Sequence, residues 1–498
     1  MDTSSTGTVP FKRGPLIAAL LIGAFVSLLN QTLINVALPK MMLDLDVGAN
    51  TAQWLTTGFM LVNGVLVPVS AYLMARFTTR VLFIASMILF SIGTVVCIAA
   101  PGFPVLLIGR LIQAAGAGIL MPLMTVVFLT VFPIEKRGQA MGLMGVAMIF
   151  APAVGPTLSG WIIQHQSWRV LFIVVLPIAL VSLFLGLFTM RNITEVSKPK
   201  LDFPGIILST LGFGGLLYGF SDAGTDGWNS WTVYMMVIVG AVSLILLVWR
   251  QLVIEKPMLE FRVFKYDMFS LTMIINVALT MSLFAAMILV PIYLQTIRGF
   301  TPLHAGLLLL PGAILMGIMS PITGRIFDKV GARWLAVTGL FITVVTTWEF
   351  SRLTDTTTYT QLILMYTARM FGVSMLMMPI MTAGLNQLPQ RLNAHGTAMY
   401  NTLRTIAGAL GTALLVSVMS SQTKHRAAEM MASGGVKPTD TAKMAQITQE
   451  ATIHGINYAF MIATWITVFA LALAFFIRKT TPQKEPASAA QKSVAAAK

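Results

Sequence analysis

The chain has 498 residues, 56% of them hydrophobic and only 10% charged, with a formal net charge of +15 and a mean hydropathy of +0.81. That balance excludes a soluble globular domain and reads as an all-α polytopic membrane protein. The basic surplus, which in a soluble chain would raise nucleic-acid binding, is read as positive-inside topology beside anionic inner-leaflet lipid, with no nucleic acid as partner.

A spanning helix needs about 20 mostly apolar residues. After a cytoplasmic tail, 1–14, fourteen such stretches follow: 15–36, 52–74, 81–100, 105–131, 140–163, 169–190, 203–221, 232–252, 269–294, 304–324, 333–351, 360–384, 396–420 and 455–477. The first is too long for a signal-peptide core and shows no convincing cleavage site, so it reads as a retained helix. With the N-terminus inside, cytoplasmic segments collect about 22 of the 33 lysines and arginines, and the outside loops about eight. Both termini are then cytoplasmic, in what is expected to be a bacterial plasma membrane. Cys97 is the only cysteine, so no intrachain disulfide can form.

In chain order, the first span carries Asn30, Gln31 and Asn35, whose amides need partners inside a membrane, whether substrate or a neighbouring helix. Trp54 lies early in the second span, and AYLMARFTTR (Ala71 to Arg80) closes it, with Arg76 and Arg80 at the cytoplasmic side. The fourth holds a lone Arg110, with Gln113 on the same face three residues later. A guanidinium at that depth survives facing the bundle interior or a wet cavity, as a charge partner in the pathway or as a structural arginine held by carbonyls. In the fifth span, Ala147, Ala151, Gly155 and Ser159 form a flat face, Pro156 removes a backbone donor, and the stretch ends at Gly160. This segment is expected to be a hinge packed against a helix of the other half.

Tyr293 and Gln295 lie at the end of the ninth span, and GRIFDKVGAR (Gly324 to Arg333) follows the tenth. Asp328 with Arg325, Lys329 and Arg333 is expected to form a charge cluster, cap the eleventh helix and hold the cytoplasmic side closed; ordinary positive-inside topology is the alternative. The twelfth span contains Tyr366 and Arg369, the thirteenth Tyr400, Asn401 and Arg404 above a Gly408 and Gly411 face. Arg404 fits either a gate or a packing anchor. Trp54, Tyr293, Gln295, Tyr366, Tyr400 and Asn401 are candidate cavity contacts, with interface anchoring and core packing as the alternative. The 33 methionines suit a pocket for several apolar shapes, although membrane cores also tolerate methionine. No carboxylate sits mid-span, so the candidate proton carriers are Asp222, at the outer end of the seventh span, and Glu349, near the outer end of the eleventh. Residues 421–454 read as a polar outside loop ordered in part, and 478–498 as a disordered cytoplasmic tail.

GRIFDKVGAR echoes AYLMARFTTR at an offset of 253 residues, and Arg369 echoes Arg110 at 259. Six spans plus two fit that interval. Residues 15–190 and 269–477 are therefore read as two six-helix bundles, and 191–268 as two inserted helices with their linkers.

LNQTLINVALP (Leu29 to Pro39), QWLTTGFML (Gln53 to Leu61), RLIQAAGAG (Arg110 to Gly118), GVAMIFAPAVGPTLSGW (Gly145 to Trp161) and SWRVLFIVVLPI (Ser167 to Ile178) resemble signatures of the major facilitator superfamily. The match is to its fourteen-helix drug:proton antiporter branch and runs through essentially all spans. The resemblance implies the major facilitator fold and a monomer that exports amphipathic drugs or toxic compounds in exchange for protons by alternating access, with no cofactor, metal or catalytic residue. It places an antiporter motif on Ala151, Gly155, Pro156 and Gly160, and a cytoplasmic gate on Arg76, Arg80, Gly324, Arg325, Asp328, Gly331 and Arg333. Two departures stand out: Asn30 replaces the branch's first-helix Asp, and Ala71, Ala75 and Thr78 replace the Gly, Asp and Gly that only the second copy keeps. An exporter of one endogenous metabolite is the alternative, and an anionic one would make Arg110 and Arg369 ligands. A channel or membrane enzyme ranks lower, since HExxH, CxxC and Walker patterns, a nucleophile elbow and a selectivity filter are all missing from the sequence.

Overall fold

The computed structural model describes residues 13–47, 49–193, 196, 202–223, 227–228, 230–254, 257, 259–300, 302–434 and 441–478. In hydrocarbon a peptide group has no water to bond, so the chain satisfies its backbone internally by forming helices. Among the described residues these are α1 (Arg13–Asp44), α2 (Ala49–Arg76), α3 (Thr79–Ala99), α4 (Phe103–Val131), α5 (Arg137–His165), α6 (Arg169–Thr189), α7 (Phe203–Ala223), α8 (Trp231–Val253), α9 (Asp267–Ile292), α10 (Pro302–Val330), α11 (Ala332–Phe350), α12 (Tyr359–Ser374), α13 (Met377–Asn386), α14 (Asn393–Gly434) and α15 (Thr441–Ala474). Each of the fourteen predicted spans falls on a helix, with α12 and α13 sharing the twelfth.

Among the described residues, twelve helical segments are long and apolar enough to cross a membrane, and α2 makes a thirteenth, bent by 52° between Trp54–Leu66 and Val69–Arg76. The one predicted span left over is the eleventh, on α11, where Arg333 and Glu349 at the two ends dilute the apolar centre.

The two halves repeat one packing scheme. In the first, α1 packs on α5 and α6, α2 on α4, and α3 on α4 and α6. In the second, α9 packs on α14 and α15, α10 on α12, and α11 on α12 and α15. Close approach between α3 and α4 rests on small residues: a Cβ on Gly93 would stand 2.6 Å from the Gly109 carbonyl.

The halves meet along α5 and α10 and again along α2 and α14. At the face where α1 begins, which carries Arg76, Arg80, Lys136, Arg137, Arg191 and Arg325 and is called the basic face below, α5 and α10 touch backbone to backbone. A Cβ on Gly324 would collide with the Gly138 carbonyl, and one on Gly142 would lie 2.6 Å from the Ser320 carbonyl. Ser320 Oγ donates to Gly142 O at 2.9 Å. Past Phe150, which fills the space over Gly317, small residues of each helix seat neighbours from their own half. There α5 turns to α1, through Thr32 and Leu33, and α10 to α12, through Tyr366 and Met370.

The inserted helices form a hairpin, with α7 lying against α2 and α14. At the basic face Asp202 ties the hairpin together: it accepts from Gly205 N at 3.0 Å, Arg250 Nε at 3.0 Å and Gln251 Nε2 at 2.7 Å. Burial opposes its ionisation, but the bonds from Arg250, Gly205 and Gln251 outweigh burial and hold the carboxyl below the usual aspartate range.

The expected outside loop is largely helical. Residues 421–434 extend α14 and 441–454 open α15, while 435–440 lie outside the described residues. α14 has 42 residues, about 63 Å at 1.5 Å per residue, so it runs well past a hydrocarbon layer of about 30 Å. Polarity keeps this segment out of lipid without preventing a helix, and Glu429 bridges His425 and Arg426 one turn back. Of the predicted tails, residues 1–12 and 479–498 lie outside the described residues.

Two measurements check these packing arguments. Because its folded value lies below the free value of about 3.9, Asp202 contributes stability that is complete at neutral pH and lost as pH falls through the folded value. Thermal unfolding of purified protein should therefore show an acid-side loss of stability that Asp202→Asn removes. Gly324→Val is expected to pry the basic face apart, lengthening the distance between spin labels placed at Lys136 and Arg325; an unchanged distance would mean that the seam adapts.

Candidate functional site

The most connected polar cluster lies inside the first half. Gln113 Oε1 accepts from Arg110 Nη1 at 2.9 Å and from Asn30 Nδ2 at 3.1 Å. Its Nε2 donates to Thr94 Oγ1 at 2.8 Å. Arg110 Nε reaches the Leu55 carbonyl at 3.3 Å, and its guanidinium lies 4.3 Å from the centre of the Phe59 ring. Four helices, α1 to α4, thus converge on two side chains that are completely buried. Asn30 joins the cluster through Gln113, the partner it shares with Arg110. Its amide completes the hydrogen bonds and leaves the cluster with a net positive charge.

Arg369 is the counterpart in the second half, also fully buried. Its Nη2 donates to Ser282 O at 2.9 Å and its Nε to Thr347 Oγ1 at 3.2 Å, while Thr467 Oγ1 donates to Ser282 Oγ at 3.2 Å. These partners come from α9, α11 and α15, so Arg369 faces the interior of its own bundle. Arg404 on α14 is partly buried beside Tyr400, and neither an ion pair nor a hydrogen bond to it is seen among the described residues.

The remaining predicted contacts disperse. Trp54 packs on Tyr218 of α7, ring centres 5.7 Å apart. Tyr293 Oη donates to Thr354 O at 2.5 Å, tying a π-helical turn to the loop before α12. Gln295 is exposed, Tyr366 packs on α10 at Gly312, and Asn401 bonds within its own helix to Thr397 O. Gln31 is half-buried, and the side chains of Asn35 and Pro156 lie outside the described residues. Asp222 is half-buried near the end of α7. Glu349 is exposed and lines a cleft of about 660 Å³ with Arg352, Thr354 and Gln361. Both acids lie at the face opposite the basic one.

The fifth-helix motif has a different neighbour from the one expected. Thr32 Oγ1 donates to Ala151 O, Ser159 Oγ donates to Leu33 O at 2.7 Å, and Lys40 Nζ donates to Ile163 O at 3.0 Å. The small face at Ala151 and Gly155 therefore seats α1 of the same half. A Cβ on Gly160 would meet nothing within 4 Å. α5 is one uninterrupted helix through Pro156.

The gate is also rearranged. The N-terminus of α5 has no cap from its own preceding residue. Asp328, from the other half, takes that role: Oδ1 accepts from Gly138 N at 2.8 Å and Oδ2 from Gln139 N at 3.0 Å. Arg137 Nη1 adds a bond to Asn386 Oδ1 at 3.0 Å. Asp328 thus caps α5, whereas α11 begins at Gly331 with no side-chain cap. The expected charge cluster does not form: among the described residues Asp328 has no ion pair with Arg325, Lys329 or Arg333. Arg325 is exposed, Arg333 stacks on Trp334, Arg76 is exposed, and Arg80 Nη2 donates to Leu187 O at 3.0 Å. Gly331 has φ +89, which glycine tolerates, whereas Thr78 in the first copy is extended at φ −71 and caps α3. Thr94, Leu55, Ser282 and Gly138 escaped sequence reading, because a hydroxyl or a main-chain group in an apolar run carries no signal of its own.

A family model described as Major Facilitator Superfamily matches residues 20–412. The uncharacterized MFS-type transporter YcnB of Bacillus subtilis is 50% identical over 475 residues, covering 95% of this chain and 97% of that protein. Lincomycin resistance protein LmrB of the same organism is 43% identical over 481 residues, covering 96% and 98%. Among solved structures, the proton:xylose symporter XylE superposes with a TM-score of 0.62 at 13% identity, over 94% of this chain and 96% of that one, a likeness of fold. The chain is a multi-pass membrane transport protein of the major facilitator superfamily.

Proposed function

We propose that the protein is a secondary active exporter of amphipathic drugs or toxic compounds, exchanging them for protons by alternating access. The observation that carries this reading is the seam between the halves, closed at the basic face by Asp328 on the α5 N-terminus and by the backbone contact of α5 with α10. A two-half bundle sealed at one end is one of the two states that alternating access requires. In this reading the basic face is cytoplasmic, as its arginines and lysines favour, and the present state opens outward. The relative named for lincomycin resistance supports export of drug-like molecules.

The Asp328 cap acts as a latch. Opening the cytoplasmic side withdraws the carboxylate from two amides and from the positive end of the α5 dipole, a loss of about 1–2 kcal/mol. The first copy has Ala75 at the matching position, so the α2–α14 side lacks such a latch. Arg110, with Asn30 and Gln113, lies beside the pathway, and Asp222 and Glu349 meet protons arriving from outside.

Asp328→Asn is expected to shift the population toward the inward-open state by roughly 5- to 30-fold, read as increased accessibility of cysteines placed along α5 at Met141 and Met148. In inverted vesicles with an imposed pH gradient, wild-type transport should collapse when the gradient is dissipated, and Arg110→Ala should lower it at least about tenfold. Transport indifferent to the gradient would sink the proton coupling while leaving the export reading in place. Unchanged rates in both Asp222→Asn and Glu349→Gln would remove those two acids as carriers.

A further inference from the structure

At depth, the fourteen spans hold three ionised side chains, Arg110, Arg369 and Arg404, and neither an aspartate nor a glutamate; Asp222 and Glu349 stand at span ends. Counted along their helices, Arg110 lies about 10 Å below the start of α4, Arg369 about 15 Å below the start of α12, and Arg404 about 16 Å above the start of α14. None has an acidic partner among the described residues. Arg110 is held by an amide, a carbonyl and a ring, and Arg369 by two hydroxyls and a carbonyl. Arg110 Nη2 and Arg369 Nη1 are buried with no protein partner at all.

Neutral partners satisfy geometry without cancelling charge. In low-dielectric surroundings an uncancelled charge acts over many ångströms, and a cleft between such walls focuses the field. The pathway between these bundles is therefore positive whether or not a given arginine touches what passes. A cationic amphiphile is repelled there, and an anionic one supplies the missing counter-charge.

Arg404 is the best placed to meet it. It is only partly buried, whereas the other two are sealed inside their bundles. The turn before it belongs to the seam, since Met399, Tyr400 and Leu403 belong to the apolar core that runs through the first half, and α14 borders α2 and α4. Beside it the Tyr400 hydroxyl is buried and has no protein partner, leaving a donor for an incoming oxygen.

Building on the exporter reading, we infer that the pathway selects amphipathic anions: an apolar body bearing a carboxylate, sulfonate or phosphate, whose charge meets Arg404 in a field strengthened by Arg110 and Arg369. Asn30 is part of that selectivity, because an acid at its position would neutralise the nearest cation.

Binding of a naphthalene sulfonate dye and of a quaternary-ammonium dye of matched size to the purified protein, measured by fluorescence, tests this directly. Wild type should bind the anion at least about tenfold more tightly. Arg404→Gln should erase most of that ratio, Arg404→Lys should keep it, and Asn30→Asp should reduce it about tenfold. Equal or tighter binding of the cation by wild type overturns the inference, as does a ratio unchanged in Arg404→Gln. Should Arg404→Gln fail to fold, the near-isosteric Asn30→Asp decides: an unaltered ratio there is equally fatal. Uptake of the same dyes into inverted vesicles separates the two readings. Anion-selective binding with transport of neither dye would defeat the exporter reading and leave anion selectivity standing.

Discussion

Lipid offers no hydrogen bonds, and that one constraint orders everything else in this molecule. Peptide groups within the spans bond along their own helices, and polar side chains at depth turn toward partners inside the protein. Gln113 shows how far this goes: its carbonyl oxygen receives both Arg110 and Asn30 while its amide reaches Thr94, so one side chain organises α1, α3 and α4. That convergence needs close helix packing, which Gly93 and Gly109 permit.

The same constraint gives the seam its asymmetry. An unmet helix N-terminus at the junction of the two halves needs an acceptor, and α5 finds one in Asp328. The opposite seam between α2 and α14 has no carboxylate at Ala75, and α7 covers it instead, with Trp54 and Tyr218 in contact across that boundary. Around α14 the linker before α9 contributes its own bond, from Glu260 N to His395 at 3.4 Å. A duplicated scaffold has thus been closed by an electrostatic cap on one side and by an added helix pair on the other.

Much of the fold was legible because hydropathy is local. A run of some twenty apolar residues can only be a spanning helix, and the echo of Arg110 in Arg369 exposed the repeat. Polar partners were harder to read. Ser159 and Ala151 announced a face meant for another helix, yet the identity of that helix, α1, depends on how six helices are arranged around one another. Asp328 announced a cap, and sequence proximity suggested α11; the chain instead brings α5 to it from 190 residues away. The helices on both sides of 435–440 went unread for a simpler reason: polar composition forbids lipid, but says little against a helix in water.

By itself the sequence determined the order of the apolar segments, the echo of its motifs between the two halves and the shortage of acids at depth, since each is a property of composition read along the chain. Tertiary structure decided which helix meets which, that Arg369 turns into its own bundle while Arg404 stays near the seam, and where α5 and α10 touch backbone to backbone. Those outcomes turn on contacts between helices that need not be neighbours in sequence. Small differences in helix rotation choose them, and rotation leaves no trace in hydropathy.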